Sequence, residues 1–169
     1  HAVLLDQDHR ARVERQNRIL RVLAHLSQEF SSILEIDELL TKIAVSIHAL
    51  ISFDAFSIYL VDADRKLLRC RFSQRYDEKV TADNIEIGKG LTGNAALSRQ
   101  VIRVADVTQD PRYISSHSDV RSEVAVPLVL HDRVIGVMDL ESIRIGFFTD
   151  EHIRALSLLA PQIASSVEN

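Results

Sequence analysis

The spacing of hydrophobic positions changes along this chain, and each change predicts an element. Residues 8–18, DHRARVERQNR, are polar on every face. From Ile19 onward apolar residues return at helical spacing, through Leu20, Leu23, Leu26, Phe30, Ile33 and Leu34, which predicts a long amphipathic helix. Ile19, Leu26 and Ile33 stand seven apart with Leu23 and Phe30 between them, a coiled-coil-like seam of about two heptads. Such a seam can meet a second copy of the chain or the chain's own core. Asp37 is placed to cap a second helix, whose stripe is Ile36, Leu39, Leu40, Ile43, Ile47, Leu50 and Ile51. From Ala55 the period becomes two: Phe56, Ile58 and Leu60 fall on one side, Ser57 and Tyr59 on the other. The turn DADR leads to a second strand, Leu67 to Phe72, and so to a hairpin.

A short strand, Val101 to Val104, precedes a long loop, DVTQDPRYISSHSDVRSE, of a length that usually carries function. EVAVPLVL, a tight HDR turn and VIGVMDLES then predict a hairpin of two nearly all-apolar strands. Pro127 inside the first of them predicts a bulge or an edge position. Thr149 is placed to cap a closing helix, with Phe148 and Ile153 as a hydrophobic staple and Ile153, Leu156, Ala160, Ile163 and Val167 as the stripe. Pro161 within that helix predicts a kink. The stripe still runs at Asn169 without a stop signal, so the helix is expected to continue into a further domain.

With 169 residues the chain has the length of one domain. Its 46% hydrophobic and 26% charged residues are ordinary for a globular protein. The net charge of −4 gives no attraction for nucleic acid or anionic lipid. No apolar run approaches the roughly 20 residues that span a bilayer, so no membrane contact by this segment is expected. Cys70 is the only cysteine, which excludes an internal disulfide, a CxxC pair and a cysteine-based zinc site, and fits a reducing cytoplasmic setting.

The stretch IGKGLTGNAAL, Ile87 to Leu97, contains G-x-G-x-x-G, and Asp106 after VIRV imitates the ribose-binding acid of a dinucleotide site. Only Asn94 to Gln100 remains for the crossover helix, however, and a parallel crossover needs roughly a dozen residues. No Gly-Lys-Ser/Thr follows, so a nucleotide P-loop fails too. Read with DPRY (Asp110 to Tyr113), Ser-Glu before an apolar strand, Val-Ile-Gly-Val in the next and an Asp-Glu helix start, the stretch resembles the GAF domain family. The resemblance runs from about Leu34 to Asn169, with 1–34 as a linker helix and 35–169 as the domain.

That resemblance implies an α+β fold: a six-stranded antiparallel sheet, the terminal helices on one face and a ligand pocket on the other, roofed by the short helix and long loop. Gly88, Gly90 and Gly93 would let the backbone turn sharply and approach the pocket. Ligand contacts are implied at Ser57, Tyr59, Phe72, Leu91, Thr92, Tyr113 and Arg121, the last as an anion-selecting guanidinium or as a surface partner of Asp119 or Glu123. Tyr59 and Phe72 could equally be core aromatics. Ser142 and Ile143 stand where the cyclic-nucleotide subset has Asn-Lys, and Cys70 lies away from the usual bilin-attachment positions.

No catalytic residue, metal ligand or named cofactor is assigned. His117 with Asp119 forms only a loose pair. Sulfoxide reduction by GAF enzymes depends on several cysteines, so this segment is not expected to be an enzyme. The expectation is a cytoplasmic regulatory module of a bacterial signalling protein. It would bind an unidentified small molecule, pair as a homodimer through its terminal helices and relay to an output domain: a sporulation-regulator-type serine phosphatase, a histidine kinase or a diguanylate cyclase. The alternative is a ligandless dimerisation spacer.

Overall fold

A computed structural model of the chain describes residues 2–32, 36–76, 78–80, 82–115 and 117–168. Two helices, α1 (Ala2–Ser32) and α2 (Ile36–Leu50), lead into the hairpin of β1 (Ala55–Asp62) and β2 (Leu67–Arg75). Two short strands follow, β3 (Glu78–Lys79) and β4 (Ile85–Glu86), and then the short helix α3 (Gly90–Ser98). Strand β5 (Ile102–Val104) precedes the long loop; β6 (Ser122–Leu130), β7 (Arg133–Ser142) and α4 (Asp150–Glu168) complete the chain. The sheet order is β3-β2-β1-β7-β6-β5, with β4 also paired to β2, and every pairing is antiparallel. The α+β architecture expected from the sequence is thus present, with seven strands among the described residues where six were implied, β3 and β4 holding two residues each.

Alternation divides the sheet's side chains between two cores. Phe56, Ile58, Val124, Val126, Leu128, Met138 and Leu140 join Leu40, Ile43 and Ile47 of α2 and Leu156, Leu159 and Ile163 of α4 in the main core. On the other face, Tyr59, Leu68, Ala125 and Val137 pack with Ala95 and Ala96 of α3. One interruption occurs between Ile58 and Tyr59, where a bulge inserts Arg71 into β2. Strand β2 runs three residues past the expected Phe72. Ser73, Gln74 and Arg75 are polar, so the apolar signal stops while the pairing continues.

At Pro127 the expected irregularity takes two forms. No residue of β5 stands opposite it, because Ile102 pairs with Ala125, and a register shift follows between Leu128 and Val129. The start of α4 is capped reciprocally: Thr149 Oγ1 accepts from the His152 amide at 3.1 Å, and His152 Nδ1 accepts from the Thr149 amide at 3.2 Å. Helix α4 continues through Pro161 to Glu168.

In α1, Val22 and Leu23 pack against the main core and Arg15 pairs with Glu151 of α4 at 2.8 Å, while Leu20 is exposed. The side chains of Leu26 and Phe30, and the whole of Ile33 and Leu34, lie outside the described residues, and with them most of the expected seam and the boundary at 34/35. Among the described residues no helix is long and apolar enough to cross a membrane.

Candidate ligand-binding site

The face of the sheet turned away from the main core forms the floor of a cavity of about 550 Å³. Its roof is the first turn of α3 together with Tyr113, Ile114, Ser115 and His117 of the long loop. The glycines set this geometry. Gly88 and Gly90 take left-handed φ values of +93° and +67°, open to glycine without strain. At Gly93 a Cβ would stand 2.4 Å from the Glu86 carbonyl oxygen, so only a bare Cα lets α3 lie this close to β4.

Register arranges this face of the sheet in rows that cross four strands. Glu123, Glu141, Ala55 and Arg75 stand opposite one another in succession; then Ala125, Asp139, Ser57 and Ser73; then Pro127, Val137, Tyr59 and Cys70. The first row is ionic and the second polar; the third is mainly apolar, and of it Tyr59 lines the cavity while Val137 packs against α3. In the second row, the Ser57 and Ser73 hydroxyls share a buried hydrogen bond of 2.8 Å.

Glu123, Asp139 and Glu141 converge where the ionic and polar rows meet. They are only 5%, 5% and 9% exposed, and one oxygen from each lies within 4.8 Å of the others. Three buried carboxyls this close cannot all ionise without cost. Burial first, then the Asp139 charge, holds the Glu123 carboxyl well above the ordinary carboxylate range. Burial lifts Asp139 from 3.8 to about 6, although a hydrogen bond from Glu123 pulls it the other way. A protonated Glu123 donating to the Asp139 carboxylate accounts for both directions. Asp139 Oδ1 is buried with no hydrogen-bond partner, a cost of about 1–3 kcal/mol that an arriving donor would remove. Burial, with Asp139 next, keeps the Tyr59 phenol far above its usual range, a neutral group beside the acids.

This arrangement is built to receive positive charge. An ammonium group has three N–H donors, one for each carboxyl, and favours the ionised forms that burial disfavours. A divalent cation could use the same oxygens, and among the described residues this is the acidic or His/Cys cluster with such spacing.

Of the residues that the sequence singles out, Ser57, Tyr59, Leu91, Thr92 and Tyr113 line the cavity. Phe72 does not. It stands opposite Ile58 on the helix-facing side and packs edge-on to Phe56, with ring centroids 6.1 Å apart, because the Arg71 bulge fixes which β2 residues face the pocket. Arg121 lies outside the cavity lining as well: its Nη1 donates to the carbonyls of Ser118 at 2.8 Å and Val120 at 3.0 Å, bracing the loop. Asp119 pairs with Arg75, the pocket-lining guanidinium. Sequence reasoning missed Arg75, Asp139 and Glu141, and it read Glu123 only as a surface partner of Arg121, whereas Glu123 is buried in the triad. The signal was available in VMDLES, where Asp139 and Glu141 share one strand face and Met138 and Leu140 the other.

Comparison with known proteins places this geometry among relatives. A family model described as GAF domain matches residues 33–168. The free methionine-R-sulfoxide reductase of Escherichia coli is 34% identical over 88 residues, 52% of this chain and 53% of that protein. The formate hydrogenlyase transcriptional activator of Salmonella typhimurium is 24% identical over 92% of this chain and 24% of its own length. Among solved structures, the free methionine-R-sulfoxide reductase of Neisseria meningitidis in complex with its substrate superposes with a TM-score of 0.79 at 25% identity, covering 89% of this chain and 88% of that one. The chain spans about half the length of the curated reductases it matches. These relatives correct the expectation that the segment is not an enzyme: reductases stand among the proteins it resembles in both sequence and structure.

Proposed function

The chain belongs to the GAF domain family, and from that premise we propose that its pocket binds a free amino acid of the methionine sulfoxide class, held by its ammonium group on Glu123, Asp139 and Glu141. The observation that carries this reading is the buried carboxyl triad with its unpartnered Asp139 oxygen at the floor of the cavity. Two further features support it. The Ser57 and Ser73 hydroxyls lie next to the triad, where a sulfoxide oxygen could accept, and the Tyr59 ring with Leu91 of the roof offers apolar surface for a thioether chain. The reductase relatives act on a ligand of this chemistry by their names.

Turnover would run through the chain's one thiol. The Cys70 thiolate would attack the sulfoxide sulfur, methionine would leave, and the oxygen would remain on Cys70 as a sulfenic acid. Two equivalents of an external thiol would then return Cys70 to the thiol, with release of water and a disulfide. Cys70 lies beside Tyr59 on the same face of the sheet but outside the cavity lining, half-buried, its Sγ donating to the Phe72 carbonyl at 3.7 Å, and burial raises its pKa. A buried thiol of raised pKa is a slow nucleophile.

A second reading rests on the transcriptional activator, of which this chain matches a quarter. In it the same ligand is an input signal, and occupancy changes how α1 and α4 pair between two copies and so instructs an output domain. Differential affinity of the ligand for the two helix arrangements is then required.

Isothermal titration of the 169-residue chain with methionine sulfoxide at pH 7.5 tests the binding step, with Asp139→Asn beside the wild type. Saturable binding that weakens more than tenfold in the variant supports the reading. Wild-type and variant affinities that agree would refute it. Methionine formation under dithiothreitol then separates turnover from sensing.

A further inference from the structure

We infer that Arg75 is the anion-binding end of this pocket and that Asp119 occupies it as an internal stand-in for the ligand's carboxylate. The inference rests on the reading of the triad as an ammonium site and extends it to the other end of the ligand. Its basis is the ionic row of the floor. Glu141 and Arg75 both pair with Ala55, on opposite sides of β1, so two strand spacings of roughly 4.8 Å each separate their backbones. Between them the floor carries only a methyl group. A carboxyl cluster and a guanidinium therefore face one another across a gap that no larger side chain fills, which is the charge pattern complementary to a zwitterion.

The guanidinium is protected from solvent, with an Arg75 side-chain exposure of 13%, and its present partner is half-exposed. That partner, Asp119, belongs to the same loop that roofs the cavity. The Tyr76 hydroxyl also donates to it at 3.0 Å. Lys89, the other pocket-lining cation of full charge, is exposed and pairs with Glu86 at 3.4 Å. A carboxylate entering the pocket thus finds its planar, two-pronged partner already engaged by a carboxylate of the roof. Exchange of one carboxylate for the other satisfies Arg75 throughout and frees the Asp119 end of the loop. The ligand class is therefore an ammonium compound that also bears a carboxylate, and the loop reports its arrival.

A pair of probes tests this: methionine sulfoxide and 3-(methylsulfinyl)propylamine, the same molecule without its carboxylate, each titrated calorimetrically into wild type, Arg75→Gln and Asp119→Asn. The readout is the ratio of the two affinities within each protein, which cancels general damage to the fold. Wild type is expected to prefer the amino acid about fivefold or more. In Arg75→Gln the ratio falls to one or below, because the carboxylate then loses its guanidinium partner and still faces the acidic triad. In Asp119→Asn the ratio rises, because the internal competitor is gone. A wild-type protein that binds both probes equally, or a ratio that Arg75→Gln leaves unchanged, overturns the inference while the ammonium reading stands. A ratio that falls in Asp119→Asn overturns the role of Asp119 as stand-in. Failure of both probes to bind wild type removes the ammonium reading, and this inference with it.

Discussion

Replacing Asp139 by Asn should stabilise the unliganded protein at alkaline pH and not at acid pH. In the fold the Asp139 carboxyl holds its proton up to about 6, against 3.8 for the free group, because it is buried. That rise corresponds to roughly 3 kcal/mol. The sign follows from proton counting. Between about pH 4 and 6 the folded state holds more protons at this site than the unfolded state, so stability falls as pH rises through that window, and above it the whole cost is present. Glu123, also raised by burial, adds to the fall in the same direction. Asn carries no charge and escapes the cost, though its amide oxygen is a weaker acceptor for Glu123 than a carboxylate, a loss of about 1 kcal/mol. At pH 8 the variant should therefore be more stable by about 2 kcal/mol, which for a chain of this size raises Tm by roughly 4–8 °C. At pH 4.5 the two proteins should melt together, or the variant slightly lower. Asp62 and Asp110, whose carboxyls hydrogen bonds from Arg69 and Arg112 hold below the usual range, contribute the opposite slope but are common to both proteins and cancel. Thermal melts from pH 4.5 to 8 in matched ionic strength read the difference directly. A variant less stable by a similar margin at both ends of the range would refute the argument, since the Asp139 charge would then carry no burial cost.

Other outcomes follow from the same structure. Gly93→Ala places a Cβ 2.4 Å from the Glu86 carbonyl oxygen, and relieving that overlap should cost about 1–3 kcal/mol by urea denaturation and loosen the roof helix. Thr149→Ala removes one half of the reciprocal cap on α4 and should lose about 1 kcal/mol in the same assay. Affinity for methionine sulfoxide should rise at least tenfold from pH 5 to pH 7.5 as Asp139, titrating near 6, and its neighbours ionise more readily. A flat profile by titration calorimetry would count against the triad. Cys70→Ser should leave that affinity within about twofold and abolish methionine formation under dithiothreitol, since no second cysteine can replace the thiolate.

Much of the fold was legible because each element carries one clear period. The alternation Phe56, Ile58 against Ser57, Tyr59 announced which face of β1 would look into the cavity, and both polar residues line it. The glycine stretch was readable too, because too few residues followed it for a parallel crossover. The triad was not read, for a physical reason. In VIGVMDLES the acids sit between large apolar residues, so the run looks like a strand buried on both faces, which it is. Burial of Asp139 and Glu141 is what gives them their place in the proposed site, and it is also what hides them in an average over hydrophobicity. Phe72 was misplaced because one extra residue, Arg71, shifts the phase of β2, and a bulge leaves no mark in the spacing of apolar side chains. Arg75 escaped notice because its partners, Ala55 across the sheet and Asp119 in the loop, are far from it in sequence.

The proton balance of binding tests the central claim most directly. An ammonium group arriving at Glu123, Asp139 and Glu141 stabilises their ionised forms, so protons held by the empty triad must leave. Titrating methionine sulfoxide into the chain at pH 6.5 in two buffers of different ionisation enthalpy counts them. The account predicts a net release of about half to one proton per ligand bound, lost in Asp139→Asn with Glu123→Gln. Heats that are identical in the two buffers, or a net uptake of protons, would contradict it.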